Sequence, residues 1–243
     1  VDSLKSGDIS VRRYAINYMW WTINYFGSEM GRIESDVVPG LIKALGDSDV
    51  EVRVIVTKAL GKLRDKTAIP YLRQLLSDSN EDVRYEAAVA LANLGDSSAV
   101  PHLIRALSYQ KEGIAAFMKD DVRISAINAL GISGDNSAVP YLVKELNDPS
   151  IEVRRNAGDS LFRLLRNGKV PIIVELLHDS NKTARVWAAW TLGKLGDKSA
   201  VNHLIKALDD LDPGVRATAA EALRRLKDKT AVNPLIKALD DLD

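Results

Sequence analysis

The sequence predicts an all-α chain, a right-handed alpha-alpha superhelical solenoid of about six helix pairs with a half-unit at each end. Three observations carry this. Val-Arg recurs at Arg12, Arg53, Arg84, Arg123, Arg154 and Arg216, with Ala-Arg at Arg185; four intervals between these arginines are 31 residues, the others 41 and 39. A period of this size marks stacked supersecondary repeats that bury their apolar faces on one another. Each period also holds two short segments with apolar residues at i, i+3 and i+4. Pro opens the first segment and Gly closes the second, as helix starts and stops require.

In chain order, a leading helix is expected near 8–26. It is rich in aromatics: Tyr14, Tyr18, Trp20, Trp21, Tyr25 and Phe26. A terminal repeat needs a cap, so these bulky residues are expected to close the end of the core. First helices follow from Pro39 to Leu45, Pro70 to Leu76, Pro101 to Leu107, Pro140 to Leu146 and Pro171 to Leu177, Pro suiting a position whose N–H has no helical partner. In the last two repeats Asn202 and Asn233 replace it, with Pro234 one place later. Second helices start after Asp/Ser/Asn clusters: Ser48 with Glu51 has capping-box spacing, and Asp148-Pro149 and Asp212-Pro213 place Pro just inside the start. They end where Gly95, Gly134 and Gly196 supply left-handed C-caps.

The expected organisation is one solenoid over 1–243: a capping helix and linker at 1–38, six helix pairs at 39–226, and a half repeat at 227–243. Ser108 to Asp121 adds eight residues to the third pair. Gly113 breaks this insertion and Ile114, Phe117 and Met118 give it a small apolar face; it reads as a longer helix start or as a flap beside a groove. The last helix offers Leu235, Ile236 and Leu239 without a second helix, which points to truncation or to self-association through this half repeat. The chain opens on Val, which reads as a processed product or fragment.

Composition narrows the chemistry. Hydrophobic residues are 46% and charged residues 27%, with 33 basic against 33 acidic side chains, so no global field draws nucleic acid or anionic membrane. Cysteine is absent, which excludes disulfides, thiolate catalysis and zinc–thiolate sites. No apolar run reaches the ~18 residues of a membrane span and no signal-peptide pattern opens the chain, so a cytoplasmic protein is expected. His102 and His203 occupy equivalent first-helix positions three repeats, roughly 30 Å, apart at about 10 Å per stacked helix. No Gly-rich phosphate loop, nucleophile elbow or paired-carboxylate site appears; neither cofactor nor metal is expected.

The run Asp-x-x-x-x-Val-Arg-x-x-Ala-x-x-Ala-Leu-Gly-x-Leu-Gly-Asp, nearly whole at 78–96 and 179–197, resembles the HEAT-repeat superfamily, most closely the short repeats first named for phycobilisome lyases. The resemblance spans almost the entire chain and extends to artificial consensus alpha-repeat binders with a 31-residue repeat. It implies that the arginines are scaffold, each bonded to an aspartate of its own or the next repeat. Candidates are Asp47, Asp49, Asp78, Asp148, Asp179 and Asp212, with Asp65, Asp96, Asp135, Asp197 and Asp228 after the second helices. Ala15, Ala87, Ala126, Ala157, Ala188 and Ala219 then let neighbouring helices approach.

The positions one, two and five after each arginine share a face and do not repeat, and the resemblance places this face in the concave groove. The expected partner-binding residues are Trp187, Trp190, Tyr85, Val89, Val54, Ile55, Lys58, Ile124, Asn128, Arg155, Asp159 and Glu221. Trp187 and Trp190 are the sharpest, as groove anchors or as core. The expected function is a non-enzymatic scaffold that binds a protein or peptide. Two alternatives follow from the resemblance: a bilin lyase or chaperone-like protein that handles a chromophore, and a DNA-binding or DNA glycosylase-like protein. The neutral balance and Glu86, Asp159 and Glu221 disfavour the latter. His-Glu dipeptides, which mark the iron-binding deoxyhypusine hydroxylase solenoids, do not occur.

Overall fold

A computed structural model of the chain describes residues 2–26, 34–107 and 119–240. Among them every regular element is helical. The chain divides into two compact units, 1–138 and 139–243. The first holds α1 (Ile9–Phe26), α2 (Glu34–Ala44), α3 (Val50–Leu63), α4 (Ile69–Leu75), α5 (Glu81–Asn93), α6 (Val100–Leu107) and α7 (Lys119–Ser133). The second holds α8 (Val139–Glu145), α9 (Ile151–Leu165), α10 (Val170–Glu175), α11 (Lys182–Leu195), α12 (Val201–Lys206), α13 (Pro213–Leu226) and α14 (Val232–Asp240). Residues 108–118 of the insertion lie outside the described residues, and so does the flap reading.

Several repeats are more than a helix pair. Asp65, Asp96, Asp197 and Asp228 cap a one-turn 3₁₀ segment that leads into the first helix, accepting from the N–H groups of Thr67, Ser98, Ser199 and Thr230. These aspartates are therefore caps and not partners of the repeated arginines. Pro70 and Pro171 sit in the first helical turn as expected, whereas α2 begins before Pro39 and carries it inside the helix. Two second-helix starts also shift. Asp49, not Ser48, caps α3, and Pro149 precedes the Ser150 cap of α9. Asp212 caps α13 with Pro213 in its first turn, as read. Gly95, Gly134 and Gly196 all lie at φ near +75°, and Arg64 and Lys227 adopt the same left-handed turn without glycine.

The repeated arginine ties consecutive repeats together. Arg53 donates from Nε and Nη2 to both carboxylate oxygens of Asp78 at 3.0 Å, while its Nη1 donates to the carbonyl of Asp47 in its own repeat at 2.9 Å. Arg185 does the same with Asp210 at 2.8 and 2.9 Å and with the carbonyl of Asp179 at 3.0 Å. Arg12 reaches Asp47 at 2.7 and 3.1 Å. The partner in the last repeat is thus Asp210, two residues before the Asp212 expected from sequence. Asp49 likewise belongs to Arg13.

The core runs along the junction of first and second helices. Val52, Val56, Val83, Ala87, Leu91, Ala126 and Leu130 are fully buried in the first unit, and Val153, Ala157, Leu161, Ala188, Leu192, Val215 and Ala219 in the second. Second helices approach to backbone contact: a Cβ added at Gly61 would lie 2.7 Å from Ala90, and one at Gly193 2.7 Å from Ala222. The leading helix departs from expectation. Ile16 and Ile23 are buried, but Tyr14, Tyr18, Trp21 and Tyr25 are 54–76% exposed. They line the outer side of α1, with Trp21 stacked on Tyr25 at 5.3 Å, and do not close the core. On α14, Val232 and Ile236 are exposed.

Two predictions follow from this packing. Gly193→Ala removes a helix-weakening glycine worth ~1 kcal/mol. It nevertheless destabilises by ~1–3 kcal/mol, because α11 and α13 must separate. A urea midpoint at or above wild type would refute the close contact. The second concerns acid. The Arg185 guanidinium holds the Asp210 carboxyl below the ordinary carboxylate range. At Asp78 burial pushes upward, but Arg53 and the Asn80 N–H outweigh it and the net direction is again down. A depressed native pKa stabilises the fold fully above the unfolded value near ~3.9, and the contribution is lost as pH falls through the native value. Asp78→Asn therefore costs ~1.5–3 kcal/mol at pH 7. The gap from wild type narrows below about pH 4 in urea titrations, whereas a constant gap would exclude the carboxylate as its source.

Candidate functional site

The variable face of the second helices divides into two sites. In the first unit, α1, α3, α5 and α7 line a cavity of about 520 Å³. It brings together Lys58 and Val89 with Trp20, Lys62, Arg64, Glu86, Asn93 and Ser125. Lys58 pairs with Glu86 at 3.2 Å, and burial, partly offset by Lys58, holds the Glu86 carboxyl above its usual range. Lys62 sits 5.7 Å from the centre of the Trp20 ring and bonds to Asn24. Sequence reading missed Trp20, Lys62 and Arg64 here, because they lie further along the helix than the positions compared.

Tyr85 is not part of that cavity. Its hydroxyl donates to the Val122 carbonyl at 2.9 Å, and burial pushes its pKa well above that of a free phenol. With Arg84, His102 and Arg105 it lines a separate space of about 90 Å³. Val54, Ile55, Ile124 and Asn128 are half-buried. Tyr85, Val89, Val54 and Ile55 therefore do not form one exposed apolar surface.

In the second unit the two tryptophans part company. Trp187 is 8% exposed, and its Nε1 donates to the Gly158 carbonyl at 3.1 Å. A Cβ on Gly158 would already meet the indole at 3.4 Å. Trp187 is thus core packed between α9 and α11, and as a groove anchor it is corrected. The sequence signal was Gly158, four residues after its arginine, where the other repeats place Ile16, Thr57, Ala88, Ile127, Ala189 and Ala220. Trp190 is 37% exposed. Its ring lies edge-on to Phe162 at 6.3 Å, and the Lys194 ammonium sits over both rings at 4.5 and 4.4 Å. Arg155 and Asp159 are exposed on α9 beside this cluster. Glu221 accepts from Arg224 and Arg225, which pull its pKa down to about 2.

A rigid aromatic pair with a fixed cation can stack a planar or apolar group and hold an anion next to it. Among the described residues no cluster of His, Asp and Glu is placed to hold a metal ion. No described helix is long and apolar enough to cross a membrane. The two tryptophans should separate cleanly in stability measurements. Trp187→Ala costs ~3–5 kcal/mol, as for other core tryptophans. Trp190→Ala costs less, ~1–2 kcal/mol, because its ring packs on Phe162 but is 37% exposed. Equal losses in thermal melts would show that Trp190 is core as well.

Comparison with known proteins agrees with this architecture. The pattern of HEAT repeats matches residues 38–117 and 170–243, more than half of the chain, and the PBS lyase HEAT-like repeat matches 122–148. No curated protein matches the chain. Among solved structures, the complex of CpcE and CpcF of phycocyanin lyase from a Nostoc species aligns at 24% identity and TM-score 0.51, covering 98% of this chain and 90% of that one. Human deoxyhypusine hydroxylase in complex with glycerol aligns at 21% identity and TM-score 0.37, covering 98% and 86%. An engineered protein aligns at 23% identity and TM-score 0.44, covering 79% and 96%. The likeness to the phycocyanin lyase complex is one of fold, and with the repeat pattern it settles the membership: the chain belongs to the HEAT-repeat family.

Proposed function

We propose that the chain is a non-catalytic scaffold that captures a protein or peptide segment on the exposed face of its second helices, with Trp190 as the anchor. One observation carries the reading. Trp190 is a large aromatic side chain held in place by Phe162 and Lys194 yet open to solvent, on a helix whose neighbouring Trp187 is fully used by the core. An anchor that is ordered before binding loses little side-chain entropy on binding, and this is where interface energy concentrates. The proteins of similar fold include one that forms a complex with a protein partner, which supports a protein ligand.

Selection from a random peptide display library on the immobilised full chain tests this. Enriched peptides bind wild type and weaken about tenfold or more on Trp190→Ala. Trp187 is left intact so that folding is not in question. Selected peptides that bind the Trp190→Ala chain as well as wild type would move the site elsewhere.

A further inference from the structure

Resting on that reading of the face, we propose that its partner is an extended acidic segment, with carboxylates three residues apart, that lies across α9, α11 and α13. The position nine residues after each arginine is Arg163 on α9, Lys194 on α11 and Arg225 on α13, and all three are exposed. Packed helices sit roughly 8–10 Å apart, α11 and α13 touching through Gly193 and Ala222 and α9 and α11 held apart by Trp187, so the row presents three cations over about 20 Å. A polyproline II segment advances ~3.1 Å per residue with three residues per turn, or ~9.3 Å between side chains on one side. Three acidic residues at every third position therefore span about the same distance as the three cations beneath them.

The bland reading is that last-turn cations merely complement the helix dipole. That dipole is common to all second helices, yet α1, α5 and α7 have no basic residue in their last turn. The corresponding residues in the first unit are Trp21, Lys62, Asn93 and Ile132, so packing does not demand a cation there. Lys194 is moreover fixed over the Trp190 and Phe162 rings, and Arg225 is held by Glu221, a carboxylate shared with Arg224. The same two rings offer a platform for a proline or apolar residue between the acidic ones, as aromatic-lined grooves do for polyproline II ligands. Asp159 and Glu221 hold the position of Trp190 on the neighbouring helices, one helical turn from Arg163 and Arg225, a pattern that repels a polyanion spread over the whole face but not a segment confined to the cationic row.

The test uses the full chain and fluorescein-labelled, proline-rich peptides of equal composition, followed by anisotropy. One carries Glu at every third position, one carries its Glu residues contiguously, and one replaces Glu by Lys at every third position; a single-stranded oligonucleotide is the fourth probe. The period-three Glu peptide binds about tenfold tighter than the contiguous one, the Lys peptide does not bind, and added salt weakens the complex. Arg163→Gln, Lys194→Gln and Arg225→Gln each reduce affinity roughly three- to tenfold with unchanged helicity. Equal affinity for the two Glu peptides, preference for the Lys peptide, tighter binding of the oligonucleotide, or no binding of either Glu peptide overturns the proposal. In each of these cases the reading of the face still stands if display-selected peptides depend on Trp190, and it falls separately if they do not.

Discussion

The architecture hangs on a guanidinium that closes two loops at once. At Arg12, Arg53 and Arg185, Nη1 satisfies carbonyls of the arginine's own loop, and Nε with Nη2 grips the carboxylate of the following loop. That carboxylate also caps its own loop through a backbone N–H, as Asp78 does for Asn80 and Asp210 for Asp212. Arg53, Asp78, Arg185 and Asp210 are each only 10–16% exposed in their side chains, so these bidentate bonds work where water competes weakly. A lone surface pair would contribute little. Here each pair is bound into two backbone turns, and the geometry of one loop is transmitted to the next.

With the loops fixed, the distance between second helices is left to side-chain size. Gly61 against Ala90 and Gly193 against Ala222 bring backbones together. Between α9 and α11 the Trp187 indole occupies the interval over Gly158, and Phe162 stands at the position where α3 and α11 carry Gly61 and Gly193. This local exchange of small for large residues tilts the balance toward a side chain that cannot be swallowed. Phe162 and Trp190 therefore meet at the surface, and Lys194 settles over both. The exposed cluster is a consequence of the buried wedge.

The parts of this legible in the sequence were those that repeat. Val-Arg spacing and Gly positions identified helices, caps and the scaffold role of the arginines, because each reflects a backbone requirement that recurs in every repeat. What failed were choices between neighbours of equal chemistry. In the run Asp209-Asp210-Leu211-Asp212 any aspartate can meet a guanidinium, and only the loop geometry selects Asp210. Trp187 and Trp190 are three residues apart, about 60° around a helix, which is the difference between burial under α9 and a place at its open edge beside Phe162. The tyrosines of α1 looked like core closure by size alone, yet with Trp21 they form a stripe opposite Ile16 and Ile23.

Scaffold and surface are chemically decoupled, and this makes the face of α9, α11 and α13 free to vary. The clasp uses the first turn of each second helix and the loop before it; the close contacts use positions six and eight after the arginine. Positions five and nine belong to neither, so Asp159, Trp190, Glu221, Arg163, Lys194 and Arg225 answer to no packing constraint that the other repeats share. A charge pattern that arises without structural demand, beside an aromatic pair that the core itself has pushed outward, is the arrangement expected of a surface shaped by what it meets.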